Sequence, residues 1–327
     1  MKALVTGVTG QDGWFLSQYL LNLDYEVYGM VRGQNSEKLE SLKDSLPDLK
    51  IINGDLTDLP SLIDVLEKVK PDEIYNLAAV SFVGLSFEQP STTADVTGLG
   101  TLRLLEAIMR SKGNESTKFY QASSSEMFGK VRETPQKEST PFYPRSPYGV
   151  AKTFAHYSTV NYREAYSLFA CCGILFNHES ERRGLEFVTR KITSNVAAIK
   201  LGLKSELRLG SLEPRRDWGY AGDYVKGMHA MLQHSAPDDY VLATNETHSV
   251  REFLDLTFKI AKIENGIERF VKTDENLMRP SEVDLLIGDY SKAKKDLSWQ
   301  PQVSFPDLVE KMYSHDFDLL KRGDRLR

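Results

Sequence analysis

The sequence predicts an α/β protein: a doubly wound parallel sheet with a smaller α/β domain interleaved through its later half. Three observations carry that reading. Short apolar runs alternate with helical patterns through the first half, as βαβ units require. A glycine-punctuated loop joins the first apolar run to the first helical pattern. After Asn177 the rhythm changes to helical patterns separated by short strands and long polar loops.

Strands are expected at residues 3–5, 26–31, 50–52, 73–76, 119–122 and 169–176, with helices at 14–21, 60–68 and 98–109 among them. Right-handed crossovers between such strands place ligands at their carboxyl ends. Later helices are expected at 188–199, 223–232 and 250–263, and later strands at 206–209 and 239–243. Residues 1–176 are assigned to the sheet domain and 177–327 to a ligand-binding domain. Residues from about 217 to 245 are expected to return to the first.

Composition narrows the function. The 327 residues are 41% hydrophobic and 27% charged, with a formal net charge of −5 and no long basic run. Nucleic-acid binding needs a concentrated cationic surface, so it is not expected. No apolar stretch reaches the roughly 18 residues of a membrane span, and the first residues lack the apolar core of a signal peptide, so a cytoplasmic location is expected. Cys171 and Cys172 are adjacent in an apolar run. That suits buried thiols rather than a disulfide or a metal site.

The first chemical signal is Thr6-Gly7-Val8-Thr9-Gly10-Gln11-Asp12-Gly13. Gly7, Gly10 and Gly13 let the backbone turn tightly and approach a pyrophosphate, whose charge sits at the following helix N-terminus. A turn with no ligand is the plain alternative, but the position directly between strand and helix favours a dinucleotide and a Rossmann-like fold. An acid for the ribose is expected about 20 residues on. Arg32 stands there instead, and a guanidinium favours the 2′-phosphate of NADP. Asp55 and Leu56 follow the third strand, and Leu77, Ala78 and Ala79 the fourth. Asp55 can accept from an adenine amino group or cap the next helix, while the small alanines let a cofactor pass closely.

The second signal is Tyr148 and Lys152, four apart in a helical pattern and therefore on one face. A phenol titrates near pH 10, so the adjacent ammonium and a positively charged nicotinamide are expected to lower it until Tyr148 can take a proton from a hydroxyl. Ser123, Ser124, Ser125 and Glu126 follow the fifth strand at its ligand-facing edge. A serine there can hydrogen-bond the reacting hydroxyl. Glu126 adds a carboxylate that simple oxidation does not need but that elimination of water does.

The chain resembles the GDP-mannose 4,6-dehydratase family of extended short-chain dehydrogenases over nearly its full length. The motifs include KFYQASSSEMFG, PFYPRSPYGVAK, NYREAYSLF, LFNHES, FVTRKI, RRDWG, ETHSVREF and RPSEVDLLIG. The resemblance implies that Ser124 takes the place usually held by threonine, with Glu126, Tyr148 and Lys152 completing the catalytic set. It implies oxidation at C4, loss of water across C5 and C6, and return of hydride to C6 within one cycle of a tightly held NADP. Thr9, Gln11, Asp12, Asn177, His178 and Arg183 join the cofactor contacts. Ser81, Ser86, Phe87, Asn177, Val188, Lys191, Leu209 and Gly210 line the substrate site, Arg216 and Arg279 clamp the diphosphate, and Glu282 lies near the ribose. A homodimer or homotetramer is implied.

Three departures stand out. Val80 and Phe82 replace the glutamine and histidine usual after strand four, Glu181 replaces the proline before Arg182 and Arg183, and the segment after Arg32 lacks a second arginine. A reductase or epimerase of a related nucleotide sugar is the alternative enzyme. A cofactor-holding sensor without turnover is disfavoured, because tyrosine and lysine are both present.

Overall fold

The computed structural model describes residues 1–33, 37–112, 116–277, 283 and 285–326; Arg279 and Glu282 lie outside them. The first six sheet strands are β1 (Lys2–Thr6), β2 (Glu26–Val31), β3 (Lys50–Asn53), β4 (Glu73–Asn76), β5 (Lys118–Ser124) and β6 (Ala170–Leu175). Between them run α1 (Gln11–Leu21), α2 (Glu37–Ser45), α3 (Leu59–Val69), the short α4 (Val83–Glu88) and α5 (Pro90–Thr93), α6 (Gly100–Arg110) and α7 (Pro147–Tyr166). A π-helical stretch, Ala94–Leu99, leads into α6.

The later half holds β7 (Asn177–Glu179), α8 (Val188–Lys200), β8 (Leu207–Leu209), β9 (Arg215–Arg216), β10 (Trp218–Tyr220), α9 (Ala221–Gln233), β11 (Asp239–Leu242) and β12 (His248–Ser249). It ends with α10 (Val250–Ile260), α11 (Gly266–Phe270), β13 (Val271–Thr273), α12 (Ser291–Leu297) and α13 (Phe305–Arg322). Seven strands form one sheet in the order β11-β6-β5-β4-β1-β2-β3, and every pairing in it is parallel. Strand order reverses between β1 and β4, and that is where an open α/β sheet forms its ligand crevice.

Both faces of the sheet are covered, which explains strands that read as continuous apolar runs. Phe15, Leu16 and Leu20 of α1 pack with Val225, Met228 and Leu232 of α9 on one face. Leu62 and Leu66 of α3 pack with Leu104, Leu105 and Ile108 of α6 on the other. Thus α9 and β11, though late in the chain, belong to the packing of the sheet. Ile192 and Val196 of α8, Phe253 and Phe258 of α10, and Leu308 and Met312 of α13 form a separate apolar cluster. Cys171 and Cys172 are both buried and free.

Four expected helices begin at different residues, two of them by one or two residues within the same pattern (Leu59 for 60, Ala221 for 223). The first is expected at Trp14 but starts at Gln11, because its first turn is built from the glycine loop. The third is expected at 98 but is regular α-helix only from Gly100, where any larger side chain would meet Leu56 Cβ at 2.9 Å. Among the described residues, no helix is long and apolar enough to cross a membrane.

Candidate active site

A cleft of about 990 Å³, open mouth included, lies at the carboxyl ends of β1, β4, β5 and β6. The glycine loop forms one wall. Gly7 has φ +67°, and a Cβ on it would sit 2.8 Å from the Ala78 backbone nitrogen. Gly13 has even less space, since its Cβ would meet the Gly7 carbonyl oxygen at 2.4 Å. The loop is thus bare backbone leading into a helix N-terminus, a cradle whose donors suit a pyrophosphate. Thr6 Oγ1 accepts from the nitrogens of Leu77 and Ala78 at 3.0 and 3.1 Å, locking the second wall to the first.

The expected catalytic set converges from two elements. Ser124 ends β5 and caps the single 3₁₀ turn Ser125–Met127, its hydroxyl accepting from the Glu126 nitrogen at 3.2 Å. Helix α7 starts on Ser146, whose hydroxyl accepts from the Gly149 nitrogen at 3.0 Å, with Pro147 in the first turn. This start puts Tyr148 over the cleft and Lys152 one turn below. Lys152 is buried, and its Nζ donates to the Ala122 carbonyl at 2.6 Å. Gly149 makes the junction possible. A Cβ there would lie 2.7 Å from the Glu126 carbonyl oxygen, so the tyrosine helix and the glutamate turn touch through a glycine.

One expectation needs correcting. Within the chain's own residues Tyr148 is not lowered but raised to about 12: burial dominates, and the hydrogen bond from Ser124 only partly offsets it. Burial also lowers Lys152, to about 8. The ammonium points at the Ala122 carbonyl and lies 5.8 Å from the Tyr148 ring centroid. The chain alone therefore holds the phenol protonated.

Asn177, His178 and Arg183 complete the far wall. Asn177 Oδ1 is buried with no hydrogen-bond partner among the described residues, which leaves it an acceptor for a ligand. Arg183 forms an ion pair with Glu179 at 3.1 Å and stacks on Phe187 at 3.6 Å. Its carbonyl accepts from Arg190 Nη1 at 2.9 Å. Arg190 is itself fully buried and paired with Asp316 at 2.7 Å, so α13 steadies this wall from behind.

Of the expected residues, Gly7, Gly10, Gln11, Asp12, Gly13, Leu77, Ala79, Ser81, Ser124, Glu126, Tyr148, Lys152, Asn177, His178 and Arg183 line the cleft. Thr9 and Arg32 are exposed beside it, at the loop and at the end of β2. The Asp55 carboxylate accepts from Thr57 rather than capping α3, whose N-cap is Asp58. Leu56 is buried under α6, and Ala78 backs the glycine loop. Ser86 is buried and donates to the Val83 carbonyl at 2.6 Å, while Phe87 is half-buried beside it on α4. Val188 and Lys191 lie on the first turn of α8, and Leu209 and Gly210 at the end of β8. Arg216 is buried on β9, with Nη1 donating to the Arg215 carbonyl at 2.9 Å. None of these last residues lines the same cleft.

Sequence reasoning passed over Val83, Ala122, Leu175, Phe176 and Phe187, all on its wall. Most sit at a parallel strand's carboxyl end, a signal that was available. His156 has no ligand-type neighbour at metal-ligand spacing in the sequence, yet the fold brings it to Cys172 and Asp239, with ligand atoms within 4.8 Å of one another. Both Asp239 oxygens accept from Arg163, at 2.8 and 3.0 Å, and that guanidinium already supplies the cation.

A doubly wound sheet with this glycine loop, and with serine, tyrosine and lysine at this edge, defines the extended short-chain dehydrogenase class. Residues 4–312 match the GDP-mannose 4,6 dehydratase family. The chain is 51% identical over 330 residues to GDP-mannose 4,6 dehydratase 1 of Arabidopsis thaliana, covering 98% of this chain and 91% of that one. It is 49% identical over 342 residues to the GDP-mannose 4,6 dehydratase of Homo sapiens, covering 98% and 92%. Its fold is similar to that of dTDP-glucose 4,6-dehydratase from Bacillus anthracis solved with NAD, at a TM-score of 0.82, 21% identity and coverage of 99% and 97%. The chain belongs to the GDP-mannose 4,6-dehydratase family.

Proposed function

We propose that this chain converts GDP-mannose to GDP-4-keto-6-deoxymannose, and that NADP is its resident cofactor. The observation that carries the reading is the meeting of Glu126 with Ser124, Tyr148 and Lys152 at one cleft, beside a cradle for a pyrophosphate. The cofactor supplies a reversible hydride acceptor. Ser124 hydrogen-bonds the C4 hydroxyl, and Tyr148 takes its proton once the positive charge of a bound oxidised nicotinamide offsets the burial that otherwise keeps the phenol protonated. Lys152 holds its charge beneath the tyrosine from a fixed point on β5. Oxidation at C4 makes the C5 proton acidic. Glu126 removes that proton and delivers one to the departing O6, so that water leaves across C5 and C6. Tyr148 then returns its proton to C5, and a bound NADP would supply the hydride for C6. Atoms and protons balance without external reductant.

The 2′-phosphate of NADP is assigned to Arg32, exposed at the end of β2. In this reading, residues 1–176 with the returning α9 and β11 hold the cofactor, and the remainder holds the GDP moiety through Val188, Lys191, Arg216, Arg279 and Glu282. A second copy of the chain is assigned to the face of α7 bearing Val150, Phe154 and Tyr157. These exposed apolar residues recur at helical spacing beside a groove lined by Leu102 and Tyr162, as an interface requires.

The test offers purified protein a panel of nucleotide sugars and follows product mass. GDP-mannose is expected to lose one water with no added reductant. Turnover restricted to a keto-sugar with stoichiometric NADPH would show a reductase instead.

A further inference from the structure

Asp12 occupies the first turn of α1, where the pyrophosphate of a dinucleotide is to be received. A bare carboxylate there would oppose the ligand's own charge. The structure gives that carboxylate a partner. His178 Nε2 lies 2.8 Å from Asp12 Oδ2, and His178 Nδ1 lies 2.7 Å from the Phe176 carbonyl oxygen. A carbonyl oxygen only accepts, so Nδ1 carries a proton. The proton between Nε2 and Asp12 then belongs to one of the two. Gln11 Nε2 donates to Asp12 Oδ1 at 3.0 Å, and the helix N-terminus favours an anion there. Both assign the charge to the carboxylate and the second proton to the ring.

We propose that His178 is a standing imidazolium whose charge neutralises Asp12, so that the N-terminus of α1 can take up the cofactor's pyrophosphate. His178 is thus a positioning residue that acts through Asp12, and the inference rests on the cofactor reading given above. Three further contacts fix the arrangement. The imidazole stacks on Tyr224 of α9, with centroids 4.6 Å apart and planes 19° from parallel. Gln11 donates to the His178 carbonyl at 3.0 Å and accepts from Ser180 at 2.7 Å. The glycine loop is thereby fastened to β7, across the cleft floor.

The electrostatics agree with the geometry. Burial works against both charges, yet each partner overrides it in the other: Asp12 falls to about 2 and His178 rises above its ordinary value. The titratable groups facing the pair are Arg183 from the turn after β7, Tyr120 from β5, Tyr148 and Lys152 from α7, and Tyr224 from α9. A histidine raised by its partner keeps its contribution at pH below its unfolded value, near 6.5. The contribution is lost as pH rises through the higher folded value. Affinity for the dinucleotide is therefore expected to fall on the alkaline side. Lys152, at about 8, titrates in the same range, so the informative quantity is the difference between wild type and His178→Gln.

The experiment has two arms. In ligand-free wild-type protein, imidazole NMR is expected to show His178 doubly protonated at pH 6.5 and titrating above that. A neutral ring at pH 6.5 overturns the proposal. In the second arm, the NADP⁺ dissociation constant is measured at pH 6.5 and across the alkaline range. His178→Gln is expected to weaken binding about tenfold at pH 6.5, the equivalent of one pKa unit of lost charge interaction, and to flatten the alkaline decline. The double variant Asp12→Asn with His178→Gln is expected to recover to within about twofold, because no carboxylate remains to neutralise. Failure of that recovery would leave His178 a merely structural group and overturn the proposal. Wild-type protein that binds no nicotinamide dinucleotide would overturn the cofactor reading itself; wild-type binding matched by His178→Gln overturns only this inference.

Discussion

At the scale of single residues, the proposed chemistry is divided between a phenol that the chain alone keeps protonated and a carboxylate beside it. Tyr148 is raised to about 12 and Lys152 is lowered to about 8, both chiefly by burial. The sequence showed which residues meet, because a four-residue helical spacing is a local property. It could not show the direction of the tyrosine shift, because burial is a tertiary property. Glu126 was legible for the first reason: a carboxylate just past a parallel strand must lie at the crevice. Arg216 and Lys191 are assigned to the substrate by resemblance alone, since nothing in their local spacing distinguishes a phosphate ligand from a salt-bridging surface group. Glu126→Gln is expected to abolish water loss, with a fall in kcat of at least about a hundredfold, the size of a lost acid–base step. Binding of NADP⁺ and GDP should change little. Wild-type kcat in this variant, measured by product mass, would remove Glu126 from the reaction.

At the scale of elements, the site depends on how tightly the start of α7 meets the turn after β5. Alanine at position 149 improves helix propensity by roughly 0.5–1 kcal/mol. Its Cβ, however, would stand 2.7 Å from the Glu126 carbonyl oxygen, a backbone atom that cannot rotate aside. Overpacking of this kind costs about 1–3 kcal/mol, so the clash outweighs the propensity. Gly149→Ala is therefore expected to lower Tm, and to lower kcat more than it weakens GDP binding, because the displaced backbone carries Glu126. A more stable and fully active variant would contradict the account of this junction. No sequence pattern announces such a contact, which joins residues 23 positions apart. The helix α13 is a different case. Phe305, Leu308, Val309, Met312 and Tyr313 are buried at helical spacing behind the Ser304 cap. That periodic signal is local and present in the sequence, and α13 supplies the Asp316 that anchors Arg190.

At the scale of the whole molecule, the cleft brings together walls distant in sequence: the glycine loop, the strand ends of the first half, and β7 with its arginine turn. The sheet was readable from its βαβ rhythm and the ligand edge followed from topology. The meeting of Asp12 with His178 was not readable, because 166 positions separate them. The exposed face of α7 carries its own expectation. Phe154→Glu with Tyr157→Glu should convert an oligomer to monomers in sedimentation, since charges on an apolar contact are costly to bury; an unchanged sedimentation coefficient would move the interface elsewhere. The central claim is a closed hydride cycle within one cleft, and isotope tracing reaches it directly. With GDP-mannose deuterated at C4, and no added reductant, the account predicts deuterium at C6 of the 4-keto-6-deoxy product. Deuterium released to solvent or accumulating on free reduced cofactor, with none at C6, would contradict it.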